Sequence, residues 1–164
     1  MDRAGQPRGV NPAARGLGAA LFLLGWGCTP PAPNNDEPIF PANYRSSFVE
    51  TRGCRNSIEH AATIRVWVNE IGADDYLTQS ATLPVGTIVV KEEFAGPACD
   101  DDSVLVFWAA MKKEAAGFDP DLKDWRFQEV ASPDRRVTQN GGAACITCHT
   151  DPDCQVRDLM CTEE

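Results

Sequence analysis

The stretch Thr63-Ile64-Arg65-Val66-Trp67-Val68-Asn69 alternates in character and is rich in β-branched residues. Period-two alternation over seven residues reads as a β-strand with two unlike faces. Downstream, Leu83-Pro84-Val85-Gly86 has turn chemistry, and Thr87-Ile88-Val89-Val90-Lys91-Glu92-Glu93-Phe94 is a second strand. Within it Lys91 shares a face with Val89 and Glu93, opposite Ile88 and Val90. Ser103 to Met111, with Val104, Leu105, Val106, Phe107 and Trp108, is apolar enough for a buried strand. Gly117-Phe118-Asp119-Pro120 turns the chain again, and Trp125 to Val130 alternates as a fourth strand, followed by Arg135-Arg136-Val137 and the pair Gly141-Gly142. Between the first two strands, Glu70 to Ser80 predicts a short helix carrying Ile71, Tyr76 and Leu77. Upstream, Tyr44 to Ala62 reads as helical in pieces, with Cys54 and Ile58 on one face. Strands joined by short turns predict an α+β fold, a mainly antiparallel sheet with flanking helices.

Past the last strand comes Cys145-Ile146-Thr147-Cys148-His149. Two thiols three positions apart followed at once by a histidine is the pattern that attaches a c-type haem: the thiols add to the vinyl groups and the imidazole reaches the iron from the same side. One covalent haem c is therefore expected, held by Cys145 and Cys148 with His149 as axial ligand. The rival reading of this run is a zinc knuckle of Cys145, Cys148, His149 and Cys154. Few residues follow His149, so a sixth iron ligand would come from His60, Met111 or Met160. None has a signature that singles it out, and an open distal iron site is expected.

The chain has seven cysteines. With Cys145 and Cys148 given to the haem and Cys28 set apart below, Cys54, Cys99, Cys154 and Cys161 remain. An even remainder predicts two disulfides in an oxidising compartment. The expected pairing staples the C-terminal cysteines back onto Cys54 and Cys99.

Residues 1–27 read as an export signal, with Arg3, Arg8 and Arg15 ahead of a short apolar run from Leu17 to Trp26. Cys28 follows Gly27, which resembles a lipoprotein start in which Cys28 is lipidated at the periplasmic face of a bacterial membrane. Gly25 and Trp26 depart from that pattern, and simple secretion is the alternative. Residues 28–41 are a Pro-rich tether, and 42–164 are the folded domain. The full chain carries a net charge of -9, and removal of Asp2, Arg3, Arg8 and Arg15 with the signal leaves it near -11. Such a charge argues against nucleic acid; it is compatible with a basic redox partner protein or a small neutral or cationic substrate, and it is also the ordinary solubility device of an exported protein, the reading favoured on charge alone.

The order Arg65-Val66-Trp67-Val68-Asn69, then Leu83 to Glu92, then Gly117-Phe118-Asp119-Pro120 with Asp124-Trp125, then the C-terminal haem motif, resembles the cytochrome P-460 family. The resemblance runs from about Cys54 to Thr150. It implies a five-coordinate haem in an antiparallel sheet protein, often a homodimer, that oxidises hydroxylamine to nitrous oxide or nitrite. It further implies that Lys91 occupies the position of a lysine joined covalently to the porphyrin and Arg65 that of an arginine in the same pocket. Glu93, next but one to Lys91 on its face, is the candidate base; Phe94 and Phe107 are either core or a distal lid. The related cytochrome c′-β proteins lack the lysine link and bind nitric oxide, which gives a gas-binding alternative. A plain electron-transfer cytochrome with two protein ligands is the third reading.

Overall fold

The computed structural model describes residues 37–100 and 102–161. The export signal, Cys28 and most of the tether lie outside the described residues. Six strands form one antiparallel sheet in the order β1-β2-β3-β4-β5-β6: β1 Phe48–Ser57, β2 Ala62–Asn69, β3 Ile88–Phe94, β4 Leu105–Lys113, β5 Trp125–Ala131 and β6 Val137–Asn140. Three short helices, α1 Ala73–Leu77, α2 Ala143–His149 and α3 Pro152–Gln155, complete the α+β architecture.

The strands that alternate strongly in sequence are the central ones. Their alternation is between two apolar faces, because the sheet is covered on both sides. On one face Ile64, Val66 and Val68 of β2 pack with Val89, Met111 and Phe127, and α1 and the C-terminal residues Leu159 and Met160 close over them. On the other, Val90, Phe94, Trp108, Ala110 and Val130 are covered by Phe40 and Tyr44 from the segment ahead of β1. The turn before β3 is built as its sequence requires. Thr87 N–H returns to Pro84 O at 3.1 Å, and Gly86 takes φ +90°, which an L side chain resists.

Two expectations are corrected. The segment from Tyr44 is helical only for one 3-10 turn, Tyr44–Ser46, and then runs as β1. Its polar, glycine-containing sequence hides the strand, because β1 is an edge: its pairing with β2 is broken by irregularities between Glu50 and Arg52 and between Arg52 and Arg55. Charged residues and bulges are how edges are blunted. Ile58 is not on a helix face with Cys54 but lies 89% exposed at the β1–β2 turn. The second correction concerns the cysteines. Both disulfides form, but as Cys54–Cys99 and Cys154–Cys161, with Cα separations of 5.7 and 4.5 Å. The C-terminal pair therefore closes on itself and does not staple onto Cys54 and Cys99. The turn after α3 folds Cys161 back beside Cys154, whereas Cys54 sits on β1 within reach of the loop carrying Cys99. Two disulfides fit an oxidising, exported setting. Among the described residues no helix is long and apolar enough to cross a membrane.

Candidate functional site

Helix α2 carries the Cys145 to His149 run. Gly141 and Gly142 lead into it, and a Cβ on Gly142 would come within 2.7 Å of Gln139 Oε1. Spacings of three and four place Cys145, Cys148 and His149 on neighbouring positions of one helix side. Both thiols are free, Cys145 half-buried and Cys148 exposed. Burial pushes the Cys145 thiol up from its ordinary value.

His149 packs edge-on to Phe127, with ring centroids 5.5 Å apart. Its Nδ1 lies 2.6 Å from Leu159 O. A carbonyl only accepts, so Nδ1 donates and Nε2 is left with its lone pair, the form that binds a metal. Burial also holds the imidazole below its usual pKa.

Strand β3 brings Lys91 to the same sheet face. Lys91 pairs with Val66 of β2 and Ala109 of β4, and Val89, two residues before it, belongs to the core under α1 and the C-terminal residues. Lys91 Nζ is 2.8 Å from Glu93 Oε1, and His60 on the β1–β2 turn puts Nδ1 and Nε2 at 2.7 and 2.8 Å from it. His60 Nδ1 is also 3.6 Å from Glu93 Oε1. Burial pulls the Lys91 amine below its ordinary pKa, with Glu93 acting in the opposite sense. Burial, and then the Lys91 charge, push His60 down to about 4. Lys91 and His60 both act electrostatically on His149, and Lys91 acts on Cys145. A cavity of about 580 Å³ opens beside His60 and Glu93, lined also by Asn56, Thr63 and Phe107. Lys91, Cys145, Cys148 and His149 do not line it, so it adjoins their cluster only through His60 and Glu93.

The sequence candidates thus divide. Lys91, Glu93, Cys145, Cys148 and His149 converge, as the strand alternation predicted for the first two. Arg65 does not join them, which corrects its placement in a shared pocket with Lys91. Arg65 pairs with Glu92 across the β2–β3 ladder, its Nε 2.7 Å from Glu92 Oε2, and its guanidinium lies over Trp67 and Phe94 at 5.4 and 5.7 Å. Neighbouring residues on a strand point to opposite faces, so a residue cross-paired with Glu92 cannot share the face of Lys91. Phe94 belongs to that other core, and Phe107 lines the cavity. Among the sixth-ligand candidates, Met111 and Met160 are buried in the core beneath α2 and do not line the cavity. His60 alone stands by Lys91, and no sequence signal foretold that contact, because it depends on the β1–β2 turn.

Two free thiols and an Nε2 available on one helix side fit covalent haem c. The zinc alternative loses Cys154 to its disulfide, and among the described residues no three His, Cys, Asp or Glu side chains gather as a metal-ion site. No family model matches the chain, and no match emerges among curated proteins. The side chains and their geometry therefore carry the functional assignment.

Proposed function

We propose that this protein is an exported mono-haem c-type cytochrome of the cytochrome P-460 kind that oxidises hydroxylamine. The observation that carries the proposal is the desolvated Lys91 amine, which shares a sheet face with the Cys145–His149 helix and has Glu93 and His60 at hydrogen-bonding distance. Cys145 and Cys148 would hold the haem through thioethers, and His149 would bind its iron through Nε2. When bound, haem c supplies a redox-active iron that takes electrons from the substrate and passes them to a partner protein.

The chain's own groups supply the rest. The carbonyl of Leu159 keeps His149 in the ligating tautomer. Burial lowers the cost of a neutral Lys91, and a neutral amine would be a nucleophile toward a porphyrin carbon once a peroxide oxidant has taken two electrons from the ring, with the hydrogen of that carbon and one amine hydrogen leaving as protons. Glu93 and His60 stand where they can receive the proton that Lys91 or the substrate gives up. Nitrous oxide or nitrite is the expected product.

The hydrogen bonds and ion pair that hold the Lys91 amine are also compatible with a lysine left unlinked. That observation favours, as the second reading, a gas-binding haem protein like cytochrome c′-β. One experiment separates the two: the absorption spectrum and intact mass of purified holoprotein, with and without Lys91→Ala. A reduced spectrum displaced from that of ordinary haem c, returned to it by the substitution, supports the linked enzyme. Ordinary spectra from both proteins, with nitric oxide binding and no hydroxylamine-dependent reduction of an electron acceptor, would overturn it in favour of the second reading.

A further inference from the structure

Asp158 and Leu159 are consecutive residues in the left-handed backbone region, at φ 55° and 67°. A leucine in that region is uncommon, and strained backbone persists where its surroundings over-determine it. Those surroundings are well defined here. Asp158 is 1% exposed, and its carboxylate accepts from Lys113 Nζ at 2.8 and 2.9 Å and from Leu83 N–H at 2.9 Å. Lys113 Nζ donates also to Lys123 O at 2.6 Å and lies 5.1 Å from the Trp125 ring centre. Leu159 is buried in the core, and its N–H bonds Cys154 O at 2.9 Å. The Cys154–Cys161 disulfide ties the ends of this segment together, with both sulfurs against Cys148 O at 3.6 and 3.7 Å.

The assembly holds one group in place, the Leu159 carbonyl that receives His149 Nδ1–H. A buried ion pair contributes little net stability, because desolvation offsets most of its Coulomb attraction. Its evident product here is geometric.

We infer that residues 151–161 form a strap behind His149, in which Lys113 and Asp158 are positioning residues that aim the Leu159 carbonyl at Nδ1. The inference rests on the haem reading of the site. The strap fixes the tautomer and orientation of the imidazole, and its hydrogen bond enriches the electron density that Nε2 offers to iron. A stronger donor favours ferric over ferrous iron, so loosening the strap raises the midpoint potential.

The test uses purified holoprotein with Asp158→Asn and Lys113→Met. Midpoint potential is read by spectroelectrochemistry, and the iron–histidine stretch of the ferrous protein by resonance Raman. The expected result is covalent haem retained, potential shifted upward and the stretch shifted to lower frequency in both variants. Haem-loaded variants that are less stable but unshifted in both readouts would overturn the strap role. If neither variant accumulates as folded protein, the paired change Cys154→Ser and Cys161→Ser leaves the ion pair intact and loosens only the strap ends. A smaller shift in the same directions then supports the inference, and no shift overturns it. Wild-type protein without covalent haem sinks the haem reading and the strap role with it, an outcome distinct from haem-loaded variants that do not shift.

Discussion

Replacing Arg65 by methionine is expected to destabilise the fold and leave the proposed haem site as it was. Glu92 is fully buried and gathers three donors: the Tyr44 hydroxyl, Arg45 Nε at 2.5 Å and Arg65 Nε at 2.7 Å. Trp108 Nε1 in turn donates to the Tyr44 hydroxyl at 2.9 Å. Burial, and then the bond to Glu92, raise the Tyr44 pKa and keep it a donor. Removing one partner from a buried charge pair costs about 3–5 kcal/mol. Glu92 would keep Arg45 and Tyr44, and methionine keeps part of the aliphatic stem over Trp67 and Phe94, so the loss is reduced to about 2–3 kcal/mol. For a domain of this size that corresponds to a fall in Tm on the order of 10 °C. Chemical denaturation with an unchanged m-value measures the loss, and the absorption spectrum and hydroxylamine turnover of the same sample report on the site. Stability within about 0.5 kcal/mol of wild type, together with an altered spectrum or lost turnover, would refute the assignment of Arg65 to the face opposite Lys91.

Three further outcomes follow from the same geometry. His60 is held at about pKa 4 in the folded chain and titrates near 6.5 when unfolded, so between these values the unfolded chain binds more protons and stability rises with pH. Its side chain is a third exposed, which limits the gain to the order of 1–2 kcal/mol after screening; urea unfolding at pH 4.5 and 7 should show the slope, and His60→Asn should flatten it. Opening the Cys54–Cys99 bridge, which spans 45 residues, should cost about 4 kcal/mol on chain entropy, against about 2 kcal/mol for Cys154–Cys161, which spans 7; paired serine variants compared by denaturant midpoint check the ranking, and the reverse order would contradict it. Cys148→Ala should leave haem attached through one thioether, and Cys145→Ala with Cys148→Ala should leave none, as read by denaturing gels stained for haem; equal covalent haem in all three proteins would remove the attachment assignment.

The central strands were legible because β-branched residues in period two leave few alternatives, and the face of Lys91 followed from parity alone. The juxtaposition of Cys145, Cys148 and His149 was legible for a different reason: the proposed haem attachment depends on spacing within five residues, and a short helix brings those positions together locally. Strand β1 was not legible, because an edge strand has no second neighbour to demand apolar residues and its Glu50, Arg52 and Arg55 resemble a solvated helix face. The face that Arg65 takes was not legible, because a resemblance in linear order does not specify which side of the sheet a side chain takes, whereas its cross-strand partner Glu92 does.

The sequence by itself determined the two-faced strands, the spacing of Cys145, Cys148 and His149 on which the haem proposal rests, and the parity that puts Lys91 with Glu93. Only the tertiary structure decided that His60 meets Lys91, that Cys154 pairs with Cys161, and that Lys113 and Asp158 stand behind His149. Each of these joins residues that lie far apart in the chain or hang on a turn. Their meeting is fixed by register and packing, which no local pattern encodes.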